Sequence, residues 1–186
     1  MFETLKFIRK NDPSVRSYLE IIILYPGYHA LLIHRVSHLL YKMRLYFIAR
    51  LVMNLTRFFT KIEIHPGAKI GKRVFIDHGS SLVIGETAVV CDDVVMYHGV
   101  TLGGRGNDNS SKRHPTIEQG VMIAAGAKIL GNITIGQYAK IGANTTVLSD
   151  VPAYATAVGP KARIINKDVR DKYSNDLCQF DNKKGA

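Results

Sequence analysis

From residue 64 onward a large aliphatic side chain returns every six residues. Ile64, Ile70 and Ile76 form one run, Ile84, Val90, Met96 and Leu102 a second, and Ile117, Ile123, Ile129, Ile135, Ile141 and Val147 a third. Four residues after most of them stands a small or β-branched side chain: Ala68, Val74, Ser80, Ala88, Val94, Val100, Val121, Ala127, Ile133, Ala139, Thr145 and Val151. A period of six fits neither the strand repeat of two nor the helical 3.6, so each unit reads as a short strand plus a turn. Three units per coil return the chain above itself after about 18 residues, with coils about 4.8 Å apart as in any strand ladder. The expectation is a mainly β triangular prism with the aliphatics pointing inward. Two interruptions offer places for function: the two-residue slip between Ile76 and Ile84, and the polar excursion "GGRGNDNSSKRHP" from Gly103 to Pro115.

Residues 12 to 60 read differently. Leu19, Ile22, Ile23, Leu31, Leu32, Val36, Leu39, Leu40, Leu45, Ile48, Leu51, Val52 and Leu55 recur at helical spacing, with a break at Pro26 and Gly27. Asp12 before Pro13 has the form of an N-cap followed by proline in the first helical position. The chain thus divides into an N-terminal helical segment at 1–61, a repeat domain at 62–165 with a protruding loop at 103–116, and an aperiodic tail at 166–186. The net charge of +10 lies outside the repeats: residues 1–61 carry +7, residues 62–160 carry 0, and residues 161–186 carry +3. Such a field favours a polyanionic ligand, and basic helices of this kind read as solvated faces before nucleic-acid surfaces. Two cysteines, Cys91 and Cys178, and no secretory leader point to a reducing, cytoplasmic setting. The most apolar stretch, Ile21 to Ile33, is interrupted by Pro26, Gly27 and His29 and is too short for a membrane span.

The words "IHPGAKIG", "DHG", "VIGETAVV", "GVTLGG", "RHPTI", "GVMIAAGAKILGNITIG", "AKIGANTTV" and "ARII", with the helical "YPGYHALLIHRVSHLLY", resemble the hexapeptide-repeat acyltransferases and, within them, the serine O-acetyltransferases. The resemblance runs from about Asp12 to Ile165. It implies a left-handed parallel β-helix, assembly as a homotrimer with active sites between neighbouring prisms, and in some members a dimer of trimers paired through the N-terminal helices. It also implies direct transfer of acetyl from acetyl-CoA, a cosubstrate, to the hydroxyl of L-serine, the first step of cysteine biosynthesis, with no metal.

The resemblance assigns roles residue by residue. His78 is the general base and Glu63 the acid that orients it. A serine hydroxyl is a poor nucleophile near neutrality, whereas imidazoles ordinarily titrate there and can take its proton as the oxygen attacks the thioester carbonyl. A carboxylate on the other ring nitrogen fixes the tautomer and steadies the imidazolium. Glu63 and His78 are 15 residues apart, a spacing that permits contact at one corner of the prism. Asp12 and Asp77 hold the acceptor ammonium, and Arg113 and His114 its carboxylate. Gly103 and Gly104 let backbone approach the thioester, Ala124, Ala125 and Gly126 form a strip for the pantetheine arm, and Lys140, Lys161 and Arg163 face the CoA phosphates.

Departures from the family pattern bear on the acceptor. Ser81 occupies a position usually held by glycine, so the turn at "DHGSS" is expected to be strained or reshaped if that position needs positive φ. Arg105 in "GGRG" replaces a small or hydroxyl residue beside the acceptor and cofactor channel. The chain ends Gly185-Ala186 rather than in the isoleucine through which many relatives dock O-acetylserine sulfhydrylase, which argues against that partner. Competing readings are a sugar or another hydroxyl acceptor on the same fold, Cys91 as a covalent nucleophile, a metal hydratase using His65, His78, His98 and His114, and a non-catalytic solenoid. An uncharged acceptor has no use for Asp12, Asp77 and Arg113. Cys91 directly follows a core valine, the four histidines lack ligand spacing, and His29, His34 and His38 read as helix-packing residues.

Overall fold

The computed structural model describes residues 2–106, 111–159 and 161. Among them four helices come first: α1 (Phe2–Asn11), α2 (Tyr18–Leu24), α3 (Pro26–Lys42) and α4 (Tyr46–Thr60). Strands of two or three residues follow and stack in three parallel sheets. The first sheet holds β1 (Ile62–Ile64), β4 (Leu82–Ile84), β7 (Thr101–Gly103), β10 (Lys128–Leu130) and β13 (Thr146–Val147). The second holds β2 (Lys69–Ile70), β5 (Val89–Val90), β8 (Thr116–Ile117) and β11 (Thr134–Ile135). The third holds β3 (Phe75–Ile76), β6 (Val95–Met96), β9 (Met122–Ile123), β12 (Lys140–Ile141) and β14 (Thr156–Ala157).

Register explains the interruptions. Val83 pairs with Thr101 and Lys128 with Thr146, each a step of eighteen residues. Glu63 pairs with Val83, a step of twenty, and Thr101 with Lys128, a step of twenty-seven. The slip and the loop therefore bulge from corners while the strands above them resume the ladder. The repeating aliphatics fill the prism: Ile64, Ile84, Met96, Leu102, Ile117, Ile123, Ile129 and Ile141 are buried, and Ile70 is partly so. Each such side chain contributes about 1.5–3 kcal/mol. The expected inward position at Ser80 is a correction. The slip inserts two residues at this corner, so Gly79 and Leu82 face inward and Ser80 is exposed.

The helices close one end of the prism. Ala30 and Leu31 of α3 and Met53 of α4 join its core, while Leu5, Ile8, Val15, Ile21 and Tyr28 pack against Phe75 in a second cluster. Gly27 lets α3 touch the first coil, since a Cβ there would lie 2.2 Å from the Ile76 carbonyl oxygen. His34 is buried as expected of a packing residue, and His29 and His38 bond the carbonyls of Ile22 and Pro66 at 2.7 and 2.8 Å. Helix α1 lies before the predicted start at residue 12. Asp12 is not an N-cap: Ser17 caps α2 by accepting from the Glu20 amide at 3.2 Å, and Asp12 instead closes its own turn. Much of the apolar surface of α2, α3 and α4 stays exposed in the single chain, including Ile23, Leu39, Phe47, Leu55 and Phe59. No helix among the described residues is long and apolar enough to cross a membrane.

Candidate active site

The corner between β3 and β4 carries the sequence Asp77-His78-Gly79-Ser80-Ser81. His78, Gly79 and Ser81 all adopt left-handed backbone, with φ of 58°, 71° and 60°. For the two L-residues this costs about 1–2 kcal/mol each. Ser81 therefore keeps the turn geometry and carries the strain a glycine would avoid, with its amide bonded to the Lys61 carbonyl at 2.9 Å. The turn lifts His78 out of the prism: its side chain is 75% exposed, whereas that of Asp77 is 18% exposed, and Nε2 lies 3.8 Å from Asp77 Oδ1. The ring of His98, one coil above, meets it edge-on at 5.9 Å.

Asp12 reaches the same corner. Its carboxylate accepts from the Ser14 amide at 2.9 Å, the Ser14 hydroxyl at 2.6 Å and the Tyr25 hydroxyl at 2.6 Å. Burial alone would raise its pKa, but these bonds and the nearby His78 imidazole hold it below the ordinary carboxylate value. Two acids and an imidazole thus face one patch, a setting for a cationic group beside a base.

Glu63 sits at the middle of β1 on the outward face. Its carboxylate is taken by Arg57 of α4 at 2.8 Å, with both side chains about half exposed. The acid within 4 Å of the His78 ring in this conformation is Asp77, not Glu63.

Arg113 and His114 stand at the next corner, between the first and second sheets, where the excursion after β7 rejoins the coil. Arg113 Nη2 bonds Glu86 at 3.3 Å, and the Tyr41 hydroxyl donates to the other oxygen of Glu86 at 2.8 Å. His114 is buried, with its Nδ1 2.8 Å from the Thr87 hydroxyl oxygen and 3.2 Å from the Thr87 amide nitrogen. Burial, then Arg113, pushes its pKa below the usual imidazole value. Strand β4 separates this group from His78, and no hydrogen bond, ion pair or ring contact joins the two among the described residues. The structure gathers the acceptor-binding candidates in two halves.

Gly103 ends β7, and Gly104 lies against the backbone of Arg113. Ala124, Ala125 and Gly126 form the turn directly above His98, with the Gly126 amide bonded to the His98 carbonyl at 2.9 Å. They share the edge that carries His78. Lys140 projects from β12 and Lys161 is exposed, while Arg163 lies outside the described residues, as does the tail at 166–186. Arg105 reaches across two coils to the Leu148 carbonyl and packs on Gly131. No cluster of three or more His, Cys, Asp or Glu suited to a metal occurs among the described residues. The Cys91 thiol is half-buried and its pKa is pushed up by burial, then by Glu118 and Asp92, the opposite of what a thiolate nucleophile needs. Tyr25, Tyr41, Glu86 and Thr87 were not singled out from sequence; Tyr25 and Tyr41 begin and end the word "YPGYHALLIHRVSHLLY", and Glu86 and Thr87 lie inside "VIGETAVV", the signals that could have flagged them.

The three-sided parallel solenoid is the architecture of hexapeptide-repeat proteins, and residues 114–149 match the family model described as bacterial transferase hexapeptide (six repeats). The chain is 56% identical over 165 residues to the serine acetyltransferase of Helicobacter pylori (strain ATCC 700392 / 26695), covering 89% of this chain and 96% of that one. It is 52% identical over 163 residues to that of Bacillus subtilis (strain 168), covering 88% and 75%. The chain belongs to the serine acetyltransferase family. Similar crystal structures include the serine acetyltransferase of Brucella abortus strain S19 in complex with coenzyme A, at TM-score 0.82 and 43% identity over 88% of this chain and 65% of that one. Another is that of Neisseria gonorrhoeae in complex with serine, at TM-score 0.81 and 42% identity over 87% and 66%. The chain thus spans about two thirds of those crystallised chains.

Proposed function

We propose that the protein transfers an acetyl group from acetyl-CoA to the hydroxyl of L-serine. The observation that carries this reading is the sorting of charge: acids Asp12 and Asp77 flank the imidazole at one corner, and Arg113 with His114 occupies the next. A free amino acid has an ammonium group for the first set and a carboxylate for the second; a sugar has neither. Since β4 separates the two halves within one chain, the site is completed when the His78 corner of one copy meets the Arg113 corner of a neighbour, as in a homotrimer.

In the reaction His78 accepts the serine hydroxyl proton as the oxygen attacks the thioester carbonyl carbon. The C–O bond forms, the tetrahedral oxyanion faces backbone N–H donors at Gly103 and Gly104, and the C–S bond breaks. The imidazolium then returns its proton to the departing CoA thiolate, so no acyl-enzyme forms. Glu63 orients the imidazole after exchanging Arg57 for the ring, a step open to a half-exposed ion pair of small net worth. The strip Ala124 to Gly126 leaves space along the axis for the pantetheine arm, and Lys140, Lys161 and Arg163 serve the phosphates. A CoA-release assay over serine, homoserine, threonine and simple sugars, with His78→Ala alongside, tests the reading. Serine is expected to react fastest and the alanine variant to lose on the order of 10²–10⁴-fold in rate. A sugar reacting in place of serine, or an unimpaired alanine variant, contradicts it.

A further inference from the structure

We propose that Thr87 is a positioning residue for acceptor recognition: it fixes His114 as the Nε2–H tautomer, so that a neutral N–H donor stands beside Arg113. This inference rests on the reading of Arg113 and His114 as the carboxylate-binding pair.

The register creates the arrangement. β5 pairs with β8, so the turn Gly85-Glu86-Thr87-Ala88 lies beneath the segment that enters β8. The Thr87 hydroxyl oxygen accepts from the amides of Arg113 and His114, both at 3.1 Å. With its lone pairs so used, its own proton points to His114 Nδ1 at 2.8 Å, and the Thr87 amide donates to the same nitrogen at 3.2 Å. A ring nitrogen that receives two donors carries no proton, which leaves the single proton of the neutral imidazole on Nε2. Nε2 has no partner among the described residues.

The ring is also packed against Gly85. Gly85 leaves the space it occupies: a Cβ there would lie 2.1 Å from both Cδ2 and Nε2 of His114. The groups that face the imidazole are Arg113, Glu86, Lys112 and His65, and burial with Arg113 outweighs Glu86 in disfavouring its charge. A neutral donor next to Arg113 gives a carboxylate a directed second hydrogen bond without confining two like charges in one small site. Thr87 touches no reacting atom; it acts through His114.

The test uses the full chain. Side-chain ¹⁵N NMR of the substrate-free protein at pH 7, with His114 assigned through His114→Gln, is expected to show protonated Nε2 and bare Nδ1. Thr87→Val keeps the shape but loses the hydroxyl. It is expected to raise the serine KM on the order of tenfold, with kcat and acetyl-CoA KM little changed and the melting temperature lowered because two backbone amides lose their acceptor, and Thr87→Ser is expected to restore both the serine KM and the melting temperature. A proton on Nδ1 of the unmodified protein, or a valine variant with an unaltered serine KM, overturns the proposal. Failure of serine acetylation itself instead removes the functional reading, since the tautomer is measured without substrate.

Discussion

Adjacent serines in the turn after His78 give opposite expectations for the same substitution. Ser81 has φ of 60°, whereas Ser80 is not among the positive-φ residues, and the Ser80 carbonyl receives the Gly99 amide at 2.8 Å. Both side chains are exposed and neither makes a side-chain hydrogen bond among the described residues, so replacement by glycine removes none at either site. Glycine costs about 0.5–1 kcal/mol through the entropy of the unfolded chain. At Ser81 it also relieves about 1–2 kcal/mol of left-handed strain. Ser81→Gly is therefore expected to stabilise by about 0.5 kcal/mol and Ser80→Gly to destabilise by about 0.5–1 kcal/mol. For a domain of this size that separates the two melting temperatures by roughly 2–5 °C. Thermal melts followed by circular dichroism, at one protein concentration because any self-association is linked to folding, measure the difference. Equal destabilisation by both variants would refute the claim that the turn carrying His78 is held in strained backbone.

Gly85→Ala places a methyl group 2.1 Å from the His114 ring and must displace it; the serine KM is expected to rise at least tenfold, with little change for acetyl-CoA, as initial-rate kinetics will show. His34 carries a pH dependence. Burial, then His38, lowers its pKa to about 4 from 6.5, so the unfolded chain takes up a proton that the folded one refuses. This contribution is fully present above about pH 6.5 and is lost progressively as pH falls toward 4, with a ceiling of about 3 kcal/mol. Denaturant melts from pH 7 to 4.5 check it, and His34→Leu is expected to flatten that part of the curve.

The prism was legible because each six-residue unit has one inward position, and its aliphatic must recur wherever the ladder continues. Ser80 broke the rule since counting through a two-residue insertion assigns faces that the bulge reverses. Helix α1 buries only Leu5 and Ile8, too short an apolar pattern to stand out. Asp-Pro at 12 and 13 reads alike as a helix cap and as a turn, and only the Ser14 and Tyr25 bonds tell them apart. Resemblance supplied the site residues, and folding shows why spacing could not arrange them. Fifteen residues between Glu63 and His78 say nothing of Arg57, which arrives from α4 and claims the carboxylate. Thr87 and His114 meet across a loop whose length follows no period, so no repeat predicts their contact.

The separation of His78 from Arg113 within one chain makes subunit complementation the most direct test. His78→Ala and Arg113→Ala, each inactive alone, are co-expressed and the mixed oligomers purified through two tags. If the site spans two copies of a trimer, about one interface in three of the doubly tagged mixed oligomers carries both residues intact, and serine acetylation recovers to roughly that fraction. Activity in the mixture no higher than in either variant alone would place both residues in the site of a single chain and contradict the account.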